Sequence, residues 1–170
     1  MYAVQWDGNE LDALRTLLNQ WADPLYLSRF YQEHSRDMPR QWNLVEFVDQ
    51  VAREHDEIEM LLTGASELET LGLETFFVPL FNEEYQIKPR ALRKGRTGFR
   101  RSILRVYAIR IDTDCYLISG GAIKLTRTMQ EAPHTLLELR KLYRLADYLK
   151  DQGVDTQYDF ASFLSFKSLE

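Results

Sequence analysis

The chain has one cysteine, Cys115, in 170 residues, so an intramolecular disulfide is excluded. That scarcity fits a reducing compartment. Cys115 falls inside an expected strand, where a lone thiol behaves as a small buried hydrophobe. A nucleophilic thiol needs an adjacent base, and none stands out. No apolar run approaches the roughly 20 residues of a membrane span. The opening MYAVQWDGNELDALR turns acidic too early for a secretory signal. Only 3 histidines are present, with no His-Glu-x-x-His pattern and no Ser/His/Asp spacing. Gly95 and Gly98 lack the Gly-Lys-Ser/Thr ending of a phosphate loop. His55 and Glu59 share a helix face, but Glu54, Asp56, Glu57 and Glu59 read better as a solvated acidic face, so no metal or cofactor is expected. His34 is isolated, as is His134, which reads as a cap-region residue. The expected setting is cytoplasmic, with no membrane.

What is present is a core and an uneven charge. The hydrophobic fraction is 45%, with 9 Phe, 9 Tyr and 3 Trp, which suits one folded domain over 1–170. Residues 1–84 hold 5 Lys+Arg against 17 Asp+Glu, net −12, and residues 85–170 hold 16 against 9, net +7. The two sum to the overall −5. Such asymmetry implies a polyanionic partner, or an acidic element that shields a basic one.

Periodicity divides the chain into an acidic helical part over 1–75 and a basic sheet-and-helix part over 76–170. Leu11, Leu14, Leu17, Leu18 and Trp21 predict a helix over 9–21. Asp23-Pro24 ends it and starts a second, reaching about His34. Asn43 and Glu46 form a capping box for a third, whose stripe is Leu44, Phe47, Val48, Val51, Ile58, Leu61 and Leu62. Residues 63–75 are weakly patterned. Pro79 limits 76–81 to an edge strand or docking loop. Tyr85–Lys88 reads as a strand. PRALRKGRTGFRR, residues 89–101, is basic, acid-free and glycine-containing, and reads as a mobile loop. Ile103–Ile111 alternates as a strand, with Ile103, Arg105, Tyr107, Ile109 and Ile111 on one face. Asp112-Thr113-Asp114 turns, Cys115–Ser119 returns, Gly120-Gly121 bends, and Ala122–Thr126 continues as a third strand. A helix over 135–150 and a short one over 155–166 follow. The fold class is α+β: N-terminal helices, then a small antiparallel sheet with a covering C-terminal helix.

From Pro79 onward, the order PLFNEEYQIK, PRALRKGRTGFRR, ILRVYAIRI, DTD, CYLISGGAIKLTRTM and HTLLELRKLYRLADYLK resembles the RelE/HigB/ParE superfamily of type II toxin–antitoxin toxins. Leu117–Thr126, with Lys124 and Arg127, is the nearest match to the superfamily's basic strand ending. The likeness covers about half of the chain and implies a metal-independent RNA-cleaving or translation-inhibiting protein. RNA or the ribosome and a cognate antitoxin are then the partners, and a homo-oligomer is compatible. In such chemistry the RNA 2′-hydroxyl is the nucleophile, while the protein orients the backbone, stabilises phosphate charge and moves protons. Arg105, Lys124 and Arg127 are the implied catalytic cations, and Tyr107 stacks on a base or assists proton transfer. Tyr143 or Arg144 is placed to reach the sheet. Arg93, Lys94, Arg96, Arg100 and Arg101 are expected to attract the nucleic-acid backbone. The alternative is a non-catalytic protein that binds nucleic acid or an acidic protein through its basic sheet, shielded by its acidic helices.

Overall fold

Capping chemistry fixes where the N-terminal helices begin. Asp12 is extended and its carboxylate accepts from the Arg15 N–H at 2.9 Å, opening α1 (Ala13–Ala22). The start falls later than the expected Asn9 because the preceding chain is tied to the sheet: Ala13 N–H donates to the Val4 carbonyl at 2.7 Å, and Val4 N–H to that of Ile118 at 2.9 Å. Asp23 caps α2 (Pro24–Glu33) by accepting from Leu25 N–H at 2.9 Å, with Pro24 in the first turn. The capping box is present as expected. Asn43 N–H donates to Glu46 Oε2 at 2.7 Å, and Glu46 N–H to Asn43 Oδ1 at 3.0 Å, at the head of α3 (Leu44–Thr63).

The structure, a computed structural model, describes residues 1–63, 73–80, 91–98 and 102–167. The expected strand at Tyr85–Lys88, and Arg100 and Arg101, lie outside them. The remaining elements are β1 (Tyr2–Ala3), α4 (Leu73–Phe76), β2 (Phe77–Pro79), β3 (Ala91–Gly95), β4 (Leu104–Asp112), β5 (Cys115–Ile123), α5 (Pro133–Asp151) and α6 (Gln157–Lys167). The five described strands lie in the order β1-β5-β4-β3-β2; β1 runs parallel to β5 and every other pairing is antiparallel. The class is α+β, with the C-terminal helix on the sheet as expected.

Both faces of this sheet are covered. On one, Leu17, Trp21, Phe30, Phe47, Val51 and Ile58 of α1–α3 pack against Leu104, Val106, Ala108, Tyr116 and Ile118. On the other, Leu139, Leu142, Leu145 and Leu149 of α5 and Phe160 of α6 pack against Tyr107, Ile109, Ile111, Cys115 and Leu117. This explains why β4 and β5 are apolar over most of their length, apart from Arg105, Arg110, Asp112 and Ser119: a strand covered on both faces has no polar side. Ile103 departs from the expected face. It precedes β4 and packs into the α1–α3 core.

Three local expectations are corrected. Residues 91–95 form β3, an interior strand between β2 and β4, rather than part of a mobile loop. The pleat allows this, because successive charges leave on opposite faces. Cys115–Ile123 is one continuous strand: Gly120 pairs with Tyr107 and Ile118 with Ala108, so Ser119 is the extra residue of a bulge and no third strand begins at Ala122. The glycines serve close approach. A Cβ on Gly121 would strike the Arg105 carbonyl oxygen and Leu17, and one on Gly120 would strike the Glu138 carboxylate. Finally, Glu54 is fully buried rather than solvated.

Candidate functional site

The strand register assembles a cluster of cations on the α5 face of the sheet. Lys94 on β3 pairs with Tyr107 on β4, which places the two side chains next to each other on one face. Arg105 follows on that face, opposite Ala122 of β5. Where β5 ends, Lys124 N–H donates to the Ile103 carbonyl at 2.7 Å and the chain turns up through Arg127, Thr128 and Met129 toward α5. The result is a cleft of about 590 Å³, lined by Lys94, Arg96, Arg105, Lys124 and Arg127, with Tyr107, Leu80, Thr128, Met129 and Gln130.

Of the residues singled out from sequence, Arg105, Lys124, Arg127 and Tyr107 all line this one cleft, joined by Lys94 and Arg96. Arg93 does not. It pairs with Ala108, faces the α1–α3 side and is buried, with its Nε meeting no acceptor among the described residues. Tyr143 is exposed on α5, as is Arg144, and neither lines the cleft.

The cations are held by neutral oxygens. Arg105 Nη1 donates to Ser102 Oγ at 2.9 Å and to the Leu104 carbonyl at 2.7 Å, and Nη2 donates to the Ser102 carbonyl at 3.0 Å. Lys124 Nζ donates to the carbonyls of Thr126 and Arg127, both at 2.6 Å. Lys94 Nζ donates to the Leu80 carbonyl at 2.9 Å. Among the described residues none of the five cleft cations forms an ion pair. The nearby Glu131 accepts instead from Arg127 N–H, Thr128 N–H and the Thr128 hydroxyl, which shapes the turn.

Crowded like charges under partial burial perturb one another. Burial lowers the Lys124 pKa, and Arg105 and Lys94 lower it further. Burial, then Arg105 and Arg96, lower that of Lys94. Burial also lowers Arg105. Tyr107 moves the other way: desolvation raises it despite the neighbouring Arg105, so its hydroxyl stays protonated, and that hydroxyl has no hydrogen-bond partner among the described residues. The cleft therefore offers fixed positive charge, a neutral O–H donor and two lysines whose protons are loosened. Such a set binds phosphate oxygens and stabilises added negative charge on them.

The sequence reading missed Glu54. It accepts from Gln50 Nε2 at 2.7 Å, Ser102 Oγ at 2.8 Å, Ile103 N–H at 2.8 Å and Leu104 N–H at 2.9 Å, with Thr97 Oγ1 at 3.4 Å. Its neighbour Glu57 accepts from Gly98 N–H at 3.1 Å. Together they fasten the strand ends that carry the cleft to α3. The signal was available, because Glu54 lies on the Phe47–Val51–Ile58 stripe, where the periodicity calls for burial. On the same helix, donor atoms of His55, Asp56 and Glu59 lie within 4.8 Å of one another, with the two carboxylates exposed.

No described helix is long and apolar enough to cross a membrane. No protein-family model, curated protein or solved structure matches this chain.

Proposed function

We propose that this protein acts on RNA through the cationic cleft, as a metal-independent RNA-cleaving or translation-inhibiting protein of the RelE/HigB kind. The observation that carries this reading is the convergence of Lys94, Arg96, Arg105, Lys124 and Arg127 on one cleft without a carboxylate among its described lining residues. A site built to hold a cation, or to be neutralised within the fold, would include one. A polyanion supplies the missing charge.

The hydrogen bonds of Arg105 leave Nε–H and one Nη2–H without an acceptor among the described residues. These two form the edge of the guanidinium fork, which spans two oxygens of one phosphate. Lys124 and Lys94 add charge beside it. Tyr107, which desolvation keeps protonated, is a hydrogen-bond donor, and the two ammonium groups offset the charge that develops on the phosphate. Met129 and Leu80 give the same cleft an apolar wall for a base or sugar.

The second reading, binding without cleavage, is favoured by the absence of histidine and carboxylate from the described lining. The acidic α3 does not shield the cleft in either reading, since it packs on the opposite face of the sheet. One experiment separates the two. Purified protein is incubated in EDTA with labelled single-stranded RNA, and binding and cleavage are both followed, with growth monitored on induction. Cleavage or growth arrest that is lost in Arg105→Ala and Lys124→Ala supports the first reading. Salt-dependent binding with intact RNA supports the second. RNA that neither binds nor breaks overturns both.

A further inference from the structure

The geometry points to Glu54, acting through Ser102, as the positioning residue that aims Arg105 into the cleft; the inference rests on the proposed RNA-binding reading of that cleft. Glu54 is fully buried on α3, on the far side of the sheet from the cleft, so it does not touch a ligand there. Its reach is indirect. Glu54 Oε2 accepts from the Ser102 hydroxyl at 2.8 Å, and the Ser102 oxygen accepts in turn from Arg105 Nη1 at 2.9 Å. The hydroxyl proton is thus committed to the carboxylate, which leaves the Ser102 lone pairs for the arginine. The same carboxylate grips Ile103 N–H and Leu104 N–H, fixing the backbone whose Ser102 and Leu104 carbonyls hold the other Arg105 donors.

Every contact in this relay falls on one end of the guanidinium. Ser102 Oγ, the Ser102 carbonyl and the Leu104 carbonyl occupy both Nη1 donors and one Nη2 donor, so the Nε/Nη2 edge is the part left for a phosphate. A half-buried arginine without such a brace samples several rotamers and meets a phosphate in few of them. An acid within an otherwise cationic neighbourhood would ordinarily weaken an anion site. Glu54 limits this because its oxygens are saturated by five donor groups and it sits on the other face of the sheet; the part of its charge that reaches Arg105 favours the charged guanidinium.

The test uses the full chain and a fluorescein-labelled, single-stranded RNA of mixed sequence, with affinity read by anisotropy. Ser102→Ala removes the relay hydroxyl and leaves Glu54 its backbone donors. The expected result is a loss of affinity of about tenfold, the size of one charge-assisted hydrogen bond, read well below the melting temperature, where the variant is fully folded. Ser102→Thr, which keeps the hydroxyl, restores binding. In an Arg105→Ala background, Ser102→Ala adds less than about twofold, because the relay has lost its target. Unchanged affinity in Ser102→Ala, or an equal effect with and without Arg105, overturns the inference. Should wild-type protein not bind RNA at all, the proposed function falls, and a ligand-free readout decides the positioning role. Phenylglyoxal labelling of Arg105, followed by mass spectrometry, then accelerates in Ser102→Ala if the relay restrains the guanidinium. An unchanged labelling rate overturns it.

Discussion

Arg105 and Arg127 bring the same charge to the same cleft by different means. Arg105 is partly buried and three of its guanidinium N–H donors are engaged, whereas Arg127 is exposed and, among the described residues, its guanidinium makes no hydrogen bond and its backbone N–H donates to Glu131. A braced fork loses less freedom on binding than a free one. Arg105→Ala is therefore expected to weaken RNA binding by about 30-fold or more, and Arg105→Lys to recover only part of it, since an ammonium has no fork. Arg127→Ala should cost only about threefold, as expected for a screened surface charge. Anisotropy titration checks the ranking, and equal losses would refute the distinction. Stability at residue scale is set elsewhere, at Gly121. Its added methyl would meet a backbone carbonyl, which cannot rotate away as a side chain can. Gly121→Ala should cost about 1–3 kcal/mol in urea unfolding. Gly98→Ala, whose nearest neighbour is 3.8 Å away, is the control and should stay within about 0.5 kcal/mol.

Among the elements, α3 has two roles, and only one is read from its sequence. Its apolar stripe and capping box are local patterns, so both were legible. The burial of Glu54 was half legible: its place on the Phe47–Val51–Ile58 stripe calls for burial, but a carboxylate in an acid-rich helix looks solvated until the donors that reach it from 97–104 are known. Those donors lie 43 to 50 residues away, and no local pattern encodes them. β3 was hidden for a related reason. Its charges suggest a loop, yet the pleat sends Arg93 and Lys94 to opposite faces, so an interior strand carries both. The cleft was partly legible because Arg105 and Tyr107 share a strand period, while Lys94 joins them only through pairing between strands. Glu54→Ala would leave Gln50, Thr97, Ser102, Ile103 and Leu104 donors without their acceptor. A loss of about 3–5 kcal/mol is expected. A change below about 1 kcal/mol in chemical denaturation would show that water replaces the carboxylate.

At the scale of the whole molecule, the sheet separates the acidic helices from the cationic cleft, so the net charge of −5 describes neither side. The cleft stores repulsion that an anion relieves, and this sets a pH dependence of defined sign. Lys94 and Lys124 titrate below their ordinary 10.5 in the free protein, because burial and Arg105 disfavour their charged forms. Between the lowered values and 10.5 the unfolded chain binds more protons than the folded one, so these two lysines contribute stability that rises with pH across that window. Binding has the opposite slope. A bound phosphate favours the ammonium forms, so the complex takes up protons and affinity falls as pH rises through the lowered lysine values. RNA affinity should therefore decline before 10.5 is approached, measured at constant ionic strength with an adenine- and cytosine-only oligonucleotide, so that base ionisation does not intrude. Replacing both lysines by arginine moves their titration out of the range and should flatten the curve. Identical pH profiles for wild type and the Lys94→Arg/Lys124→Arg variant would mean that the two lysines do not face the bound phosphate.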